Sequence, residues 1–203
     1  MIELIEPKQF KTIPWKNGLG ETTELAINGG GNLDSFDWRL SIASVVNDGV
    51  FSDFSGYQRN LVLISGHELI LQHDDGDIDK LTNLLDIATF DGACKTHGKL
   101  SDGVIKDFNI ITNKQKIQPQ VSCYVDEEEV EFQLAEYSIY FAYSLTGEIR
   151  IEVSDHEKSI APQGHLVKIT STNVIANKTA SRVKIYSENM ILVKLQPKES
   201  HTK

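Results

Sequence analysis

Cysteine, proline and long apolar runs are scarce in this chain, and each scarcity excludes a class of protein. The 203 residues include only two cysteines, Cys94 and Cys123, which form no Cys-x-x-Cys pair and therefore exclude a disulfide framework or a zinc ribbon. Five prolines and the lack of any biased tract exclude long disordered segments. No apolar run approaches the roughly 20 residues that a membrane helix needs, so we expect no membrane partner.

Basic residues are also in the minority, which argues against nucleic acid as a partner. Lys and Arg number 20 against 29 Asp and Glu, so the formal net charge is -9. A field of that sign repels phosphate backbones, although local basic groups can still capture a small anion. The first residues show no basic segment followed by an apolar one, so we expect a cytoplasmic protein with reduced thiols.

Short alternating segments fill the rest of the sequence and predict an all-β fold. In WRLSI (38–42) the apolar residues alternate with Arg39 and Ser41, as on a strand with one buried face. Glycine, asparagine and aspartate clusters separate such runs, as turns require. The segment DIDKLTNLLDIA (77–88) fits either one helical face or a loop that ends in a strand, and both interpretations stay open. Many short strands with few helices are typical of a sandwich or barrel.

A faint internal repeat favours two related β modules. LVLISGHELILQH (61–73) and FAYSLTGEIRIEV (141–153) each combine an apolar strand, a glycine turn and an alternating strand. Any two β-hairpins would share this pattern, so chance similarity remains the alternative. The polar segment NKQKIQPQVS (113–122) is the best linker candidate, which predicts one module in residues 1–118 and another in residues 119–203.

Three stretches combine cations with aromatic residues. IPWKNGLGETTEL (13–25) places a lysine before a Gly-x-Gly turn, FDWRLSIA (36–43) puts an arginine in a strand, and GVFSDFSGYQR (49–59) leads to Arg59 through an aromatic loop. A cation in apolar sequence must snorkel, pair with an acid or bind an anion. Each one alone is more often half of a structural ion pair, but three together favour a polar pocket at a barrel mouth.

The usual catalytic and metal-binding motifs are missing. The six histidines are scattered without an HxH or HExxH pattern, and no Walker loop or GxSxG elbow occurs. We therefore expect no bound metal and no cofactor.

The cationic stretches resemble the signature segments of the HutD/Ves family. WKNGLGETTEL is similar to that family's WKNGGGxTxE, FDWRLSIA matches its FDWRxSxA, and GVFSDFSGYQR resembles its GxFSxFxGxxR. FDG (90–92) and DFNIITNK (107–114) resemble two later segments, the second imperfectly. The ordered matches run from residue 15 to about residue 114, and beyond residue 115 only a β pattern is recognisable.

The resemblance implies a fold of two cupin-like β-barrels in one chain, a bicupin, without the histidine-rich metal motif of many cupins. It also implies a link to histidine utilisation, where HutD-type proteins modulate the pathway rather than catalyse a step, and to stress responses for Ves-type relatives. Two departures affect the site. Leu19 replaces a family glycine, and Asn113-Lys114 stands where the family has arginines.

We expect the matched residues to line a small-molecule pocket in the first barrel. Lys16 and Asn17 would offer donors, and Arg39 or Arg59 would supply a planar fork for a carboxylate. Aromatic side chains, Trp15 with Phe51 or Phe54, would cover a conjugated ligand such as urocanate or another carboxylate of histidine breakdown. The predicted ligand-binding residues are Trp15, Lys16, Asn17, Gly18, Thr22, Glu24, Arg39, Ser41, Phe51, Arg59, Asp107 and Asn109.

Three functions stay open at this point. The favoured one is a binding or regulatory protein that buffers or senses a small carboxylate. The second is a metal-independent enzyme, an isomerase or hydrolase, in which Lys16 polarises the substrate and Glu24 or Asp107 is the base. The third is an interaction protein whose pocket is incidental. A homodimer also stays open, as does a site in the second barrel.

Overall fold

Strands account for nearly all regular structure in the computed structural model, which describes residues 1–15, 18, 20–154, 157–170 and 181–199. This confirms the all-β prediction, and one short 3-10 helix lies at Pro7–Gln9. Within these ranges no helix has the length and apolar character needed to cross a membrane. In chain order the strands are β1 (Ile2–Ile5), β2 (Lys11–Pro14), β3 (Gly20–Ile27), β4 (Trp38–Val45), β5 (Gly49–Val50), β6 (Tyr57–Ser65), β7 (Leu69–His73), β8 (Ile78–Leu81), β9 (Ile87–Asp91), β10 (Thr96–Leu100), β11 (Ile105–Asn113), β12 (Ile117–Gln133), β13 (Ile139–Val153), β14 (Glu157–Ala161), β15 (Leu166–Thr170) and β16 (Arg182–Pro197).

The strands belong to two compact units. The central unit is Phe10–Ile117, and the terminal unit combines Met1–Gln9 with Gln118–Lys203. The first residues join the terminal unit because β1 pairs antiparallel with β15. They therefore belong to a different unit from most of the residues expected in the module 1–118.

Each unit is built from open sheets. The central unit has a six-stranded sheet in the order β2-β3-β4-β11-β6-β9 and a four-stranded sheet in the order β5-β10-β7-β8. The terminal unit has one sheet in the order β1-β15-β13-β16-β12, with β14 paired to β13. A barrel closes only when the first and last strands of a sheet pair, and the described strands leave these edges unpaired. The described strands therefore do not form the closed barrels expected from the sequence.

The hydrophobic core of the central unit draws on both of its sheets. Ala43 of β4 and Leu61 of β6 come from the six-stranded sheet, while Leu69 and Leu71 come from β7 of the four-stranded sheet. Burying a leucine side chain contributes about 1.5–3 kcal/mol, so alternation along these strands fixes which face turns inward. The polar residues that share the inward face of β4, β6 and β11 are therefore drawn inside.

The two glycines of the sequence repeat mark bends rather than hairpins. Gly66 separates β6 from β7, and these strands lie in different sheets. Gly147 lies within β13, whose register with β16 shifts between Thr146 and Arg150. Their φ angles are +98° and +72°, a region that favours glycine. The shared sequence pattern thus marks two positions at which the chain bends and its pairing with neighbouring strands changes.

Segment 77–88 contains no helix, so the loop-and-strand interpretation is correct. β8 occupies its start, β9 begins near its end, and Leu85 between them has a φ of +71°. The Asp86 carboxylate accepts hydrogen bonds from the backbone N–H groups of Thr82 and Asn83, both at 2.8 Å. A turn held by its own carboxylate therefore replaces the helix that the apolar spacing also allowed.

Gly66 and Gly76 have the same φ angle, so substitutions at these positions can distinguish the cost of backbone strain from the cost of overpacking. Gly66 and Gly76 both have a φ of +98°, but a Cβ at Gly66 would lie 2.6 Å from Ile105 Cγ2, whereas a Cβ at Gly76 would meet open space. We expect Gly76→Ala to lower the free energy of unfolding by about 1–3 kcal/mol through strain. Gly66→Ala should lose about 1–3 kcal/mol more through overpacking. Urea denaturation of both variants measures the difference, and equal losses would show that Ile105 moves aside at no cost.

Candidate functional site

A cavity of about 490 Å³ opens in the central unit against the inward face of its six-stranded sheet. Polar side chains from β4, β6 and β11 form its base, and Trp15 with the aromatic loop after β5 forms its walls. This volume is within the range of small-molecule sites. The residues that line it are Ile13, Trp15, Thr22, Leu33, Arg39, Ser41, Ala43, Val45, Gly49, Val50, Phe51, Ser52, Phe54, Arg59, Asp107, Asn109 and Ile111.

Antiparallel register brings the polar residues of the base together. β11 lies between β4 and β6, and Ile111 is opposite Arg39 on one side and Arg59 on the other. Asn109 is opposite Ser41 of β4 in the same way. Because alternate residues of a strand share a face, Asp107, Asn109 and Ile111 all face the cavity. Residues far apart in the sequence thus meet on three neighbouring strands.

Arg39 is neutralised by Glu24 of the adjacent strand β3. Its Nε donates to Glu24 Oε2 at 2.8 Å, and the two side chains are only 8% and 12% exposed. Arg39 lines the cavity, whereas Glu24 does not. This buried pair is internally balanced, so it leaves no charge for a ligand to compensate.

Arg59 has a different environment, because no ion pair reaches it within the described residues. Its Nη2 donates to Asn109 Oδ1 at 2.9 Å, while its Nε is buried without a hydrogen-bond partner. Three phenyl rings surround the guanidinium, with centroids 5.2 Å (Phe51), 5.4 Å (Phe54) and 5.1 Å (Phe90) from its Cζ. Burial lowers the pKa of Arg59 to about 10, against the opposing effect of Asp107, so the side chain is cationic at neutral pH.

Asp107 is the acidic member of the base and is 1% exposed. Asn109 Nδ2 donates to its Oδ1, and Oδ2 is buried without a partner. Burial raises the pKa of Asp107 to about 7, although the Arg59 charge and the hydrogen bond from Asn109 act in the opposite direction. Asn109 therefore links the Arg59 cation to the Asp107 carboxyl. With a pKa of about 7, this carboxyl changes its protonation state near neutral pH.

The walls and mouth of the cavity are mainly apolar. Trp15 Nε1 donates to Thr22 Oγ1 at 2.8 Å, which fixes the indole ring at the wall. At the mouth Ile13 is 43% exposed, Leu33 52% and Val50 59%. A ligand would thus meet charge at the base and apolar surface along its body.

The structure places most of the predicted ligand-binding residues on this cavity. Gly18 is not among its lining residues, and a Cβ there would meet nothing within 4 Å. Glu24 acts through Arg39, as described above. Lys16 and Asn17 lie outside the described residues. The predicted residues on the cavity are Trp15, Thr22, Arg39, Ser41, Phe51, Arg59, Asp107 and Asn109.

Sequence reasoning missed Phe90 and the apolar mouth. Phe90 lies in the FDG segment (90–92), so that segment was the available signal for a ring beside Arg59. Ile13, Leu33 and Val50 carry no such signal, because single exposed apolar residues are ordinary on protein surfaces. No group of three or more His, Cys, Asp or Glu is arranged for a metal ion in the ranges that the structure describes.

Sequence comparison finds relatives that match somewhat more than half of this chain. A Pseudomonas putida protein, described as an uncharacterized 21.2 kDa protein in the hutC 3' region, is 36% identical over 120 residues. Protein Ves of Escherichia fergusonii is 35% identical over 121 residues. Each match covers 59% of this chain but only 63% and 62% of the respective relative, less than two thirds of its length.

Solved structures extend the similarity to nearly the whole chain. HutD from Pseudomonas fluorescens SBW25 is 25% identical with a TM-score of 0.78, covering 98% of this chain and 100% of that one. A cupin 2 conserved barrel domain protein from Leptotrichia buccalis is 10% identical with a TM-score of 0.52, covering 93% of this chain and 96% of its own, and shows a cupin-like fold. The HutD family model matches residues 7–190, and the chain belongs to the HutD family.

Proposed function

We propose that this protein binds a small carboxylate in the cavity of the central unit and thereby has a regulatory role in histidine utilisation. The observation that carries the proposal is the state of Arg59. Its guanidinium is buried, its Nε has no acceptor, and no described acid forms an ion pair with it. A buried cation without an anion is costly, so a site of this kind favours an anionic ligand.

The guanidinium of Arg59 is well suited to a carboxylate ligand. The planar fork of arginine matches two carboxylate oxygens, and such charge-assisted hydrogen bonds are about twice as strong as neutral ones. The three phenyl rings around Arg59 keep its side chain in place and exclude water from one side of the fork. A carboxylate that accepts from Nε would supply the missing partner.

The walls favour a flat, conjugated body attached to that carboxylate. Trp15, Phe51 and Phe54 line the cavity, and the mouth is apolar. Urocanate, or a related carboxylate of histidine breakdown, has this shape and charge. One relative is named for the hutC 3' region, which supports the link to histidine utilisation.

The architecture supports a related proposal, that the two units are the cupin-like modules of a bicupin. Each unit contains a strand–glycine–strand bend, at Gly66 in the central unit and Gly147 in the terminal unit. The cavity described above belongs to the central unit alone.

A second candidate function is proton transfer with Asp107 as the base. Of the two acids that the sequence offered for this role, Glu24 is engaged by Arg39, whereas Asp107 Oδ2 is free. A base with one oxygen held and one oxygen facing a ligand is a common catalytic arrangement. Proton NMR of urocanate in D2O with wild-type protein tests it: deuterium exchange or product that disappears in Asp107→Asn would favour the enzyme, and an unchanged spectrum the binding protein.

The two buried arginines should respond differently to the same substitution. We expect Arg59→Met to weaken urocanate binding about 10- to 100-fold, because a charge-assisted hydrogen bond contributes roughly 1.5–3 kcal/mol. Arg39→Met should instead lower the free energy of unfolding by about 3–5 kcal/mol, because it leaves Glu24 buried and unpaired. Calorimetric titration and a urea melt of each variant measure both quantities.

The opposite pattern would assign Arg59 to the fold rather than to the ligand. A folded Arg59→Met protein with wild-type affinity rules out the proposed contact. A loss of several kcal/mol of stability in Arg59→Met, with little loss in Arg39→Met, would exchange the two roles.

Tryptophan fluorescence gives an independent measurement of occupancy. The chain has two tryptophans, and Trp15 lines the cavity whereas Trp38 is 7% exposed and does not line it. We expect urocanate to quench the emission of wild-type protein and of Trp38→Phe, and to leave that of Trp15→Phe nearly unchanged. Quenching that survives in Trp15→Phe and vanishes in Trp38→Phe would place the ligand elsewhere.

A further inference from the structure

Among the residues that the structure describes, the charges around the cavity balance with a bound carboxylate only when Asp107 carries a proton. Arg39 and Glu24 cancel each other, which leaves Arg59 as the cation and Asp107 as the acid of the base. If Asp107 is ionised, its charge and that of a monoanion exceed the single charge of Arg59, and a net negative charge is buried. If Asp107 is neutral, the ligand and Arg59 form a balanced pair.

The hydrogen bonds around Asp107 define where that proton resides. Oδ1 already accepts from Asn109 Nδ2, whereas Oδ2 is buried and has no partner. A protonated carboxyl has one O–H donor, and Oδ2 is the oxygen free to carry it. Protonation would thus convert Oδ2 from an acceptor without a partner into a donor to an anion bound by Arg59.

We infer that the cavity takes up a monoanionic carboxylate together with one proton, which Asp107 holds on Oδ2 and donates to the ligand as a hydrogen bond. The inference rests on the proposed function, because it requires a carboxylate at Arg59. It makes Asp107 a specificity-determining residue: a neutral donor favours a simple carboxylate and offers no counter-charge to the ammonium group of an amino acid.

The groups that face Asp107 are consistent with this exchange. Arg59 of β6 acts on Asp107 as a positive charge, and the neutral Asn109 donates a hydrogen bond to it. The next charges along the cavity, Arg39 and Glu24, are paired with each other. Burial already raises the pKa of Asp107 to about 7, and a second negative charge bound nearby raises it further. Proton uptake on binding should therefore be small at pH 6 and approach one proton per ligand above pH 8.

Cinnamate is a suitable probe because it is planar and its carboxyl stays ionised over this range. We expect calorimetry at pH 8.5, in two buffers of different ionisation enthalpy, to show uptake of nearly one proton per cinnamate bound. The affinity of wild-type protein should fall about 10-fold between pH 7.5 and pH 8.5. Asp107→Asn keeps the shape of the side chain and an N–H donor, so it should bind without proton uptake and at least 10-fold more tightly than wild type at pH 8.5.

Selectivity between a simple carboxylate and an amino acid provides a second test of the inference. Phenylalanine differs from 3-phenylpropanoate only by its ammonium group, and wild-type protein should bind it at least 10-fold more weakly. Binding of phenylalanine as tightly as 3-phenylpropanoate would overturn the inferred role of the neutral carboxyl.

Unfolding of the ligand-free protein tests the same proton independently. The ordinary pKa of an aspartate is 3.8, and in the folded protein that of Asp107 is about 7, so the folded state binds the proton more tightly. The resulting stability is full below about pH 4 and is lost as pH rises through 7. We therefore expect the difference in urea midpoint between wild type and Asp107→Asn, taken as wild type minus variant, to decrease from pH 5 to pH 8. A difference that stays constant over this range would contradict a protonated Asp107.

The outcomes of these experiments distinguish the inferred proton uptake from the proposed carboxylate binding on which it rests. Cinnamate binding that depends on Arg59 but shows no proton uptake and no change of affinity from pH 7.5 to pH 8.5 overturns the inference and leaves carboxylate binding intact. A failure of both cinnamate and urocanate to bind either protein overturns both.

Discussion

The burial of the Arg59 guanidinium beside Asp107 is the constraint on which the central unit depends. A cation and an acid are enclosed by strands that also contribute apolar residues to the core, among them Ala43, Leu61 and Phe90. No described residue forms an ion pair with either group, and Asn109 provides the polar link between them. Such a base is tolerated because three phenyl rings and a linked amide replace part of the lost hydration. What remains unsatisfied is directed at the cavity.

The same constraint explains why β11 occupies the middle of its sheet. The strand carries Asp107 and Asn109, and it reaches Arg39 and Arg59 only by pairing with β4 and β6 at once. These partners come from distant parts of the sequence, so the site exists only after long-range pairing is complete. Assembly of the cavity and folding of the sheet are therefore coupled through one strand.

Alternation and composition were sufficient to predict the strands, but alternation placed Arg39 and Ser41 on the face opposite the apolar residues of β4, whereas both faces are buried at the start of this strand. The family segments identified Arg59, Asp107 and Trp15, whose cavity positions the structure then describes. Three features were beyond the sequence for physical reasons. Sheet closure depends on whether distant edge strands pair, and no local pattern reports this. The apolar spacing of residues 77–88 fits a short helix as well as two strand ends, and the Asp86 turn decides between them. The third is the destination of β1, which is decided by a partner strand near the far end of the chain.

That destination of β1 has a consequence for the order in which the protein is made. The central unit is continuous, from Phe10 to Ile117, so all of its strands have been synthesised before most of the terminal unit exists. β1 precedes the central unit in the chain, yet it cannot pair until β15, Leu166–Thr170, has been translated. Because segments fold as their partners become available, we expect the cavity to be complete on the nascent chain while β1 is still without its neighbour. A strand made before the central unit is thus placed after it.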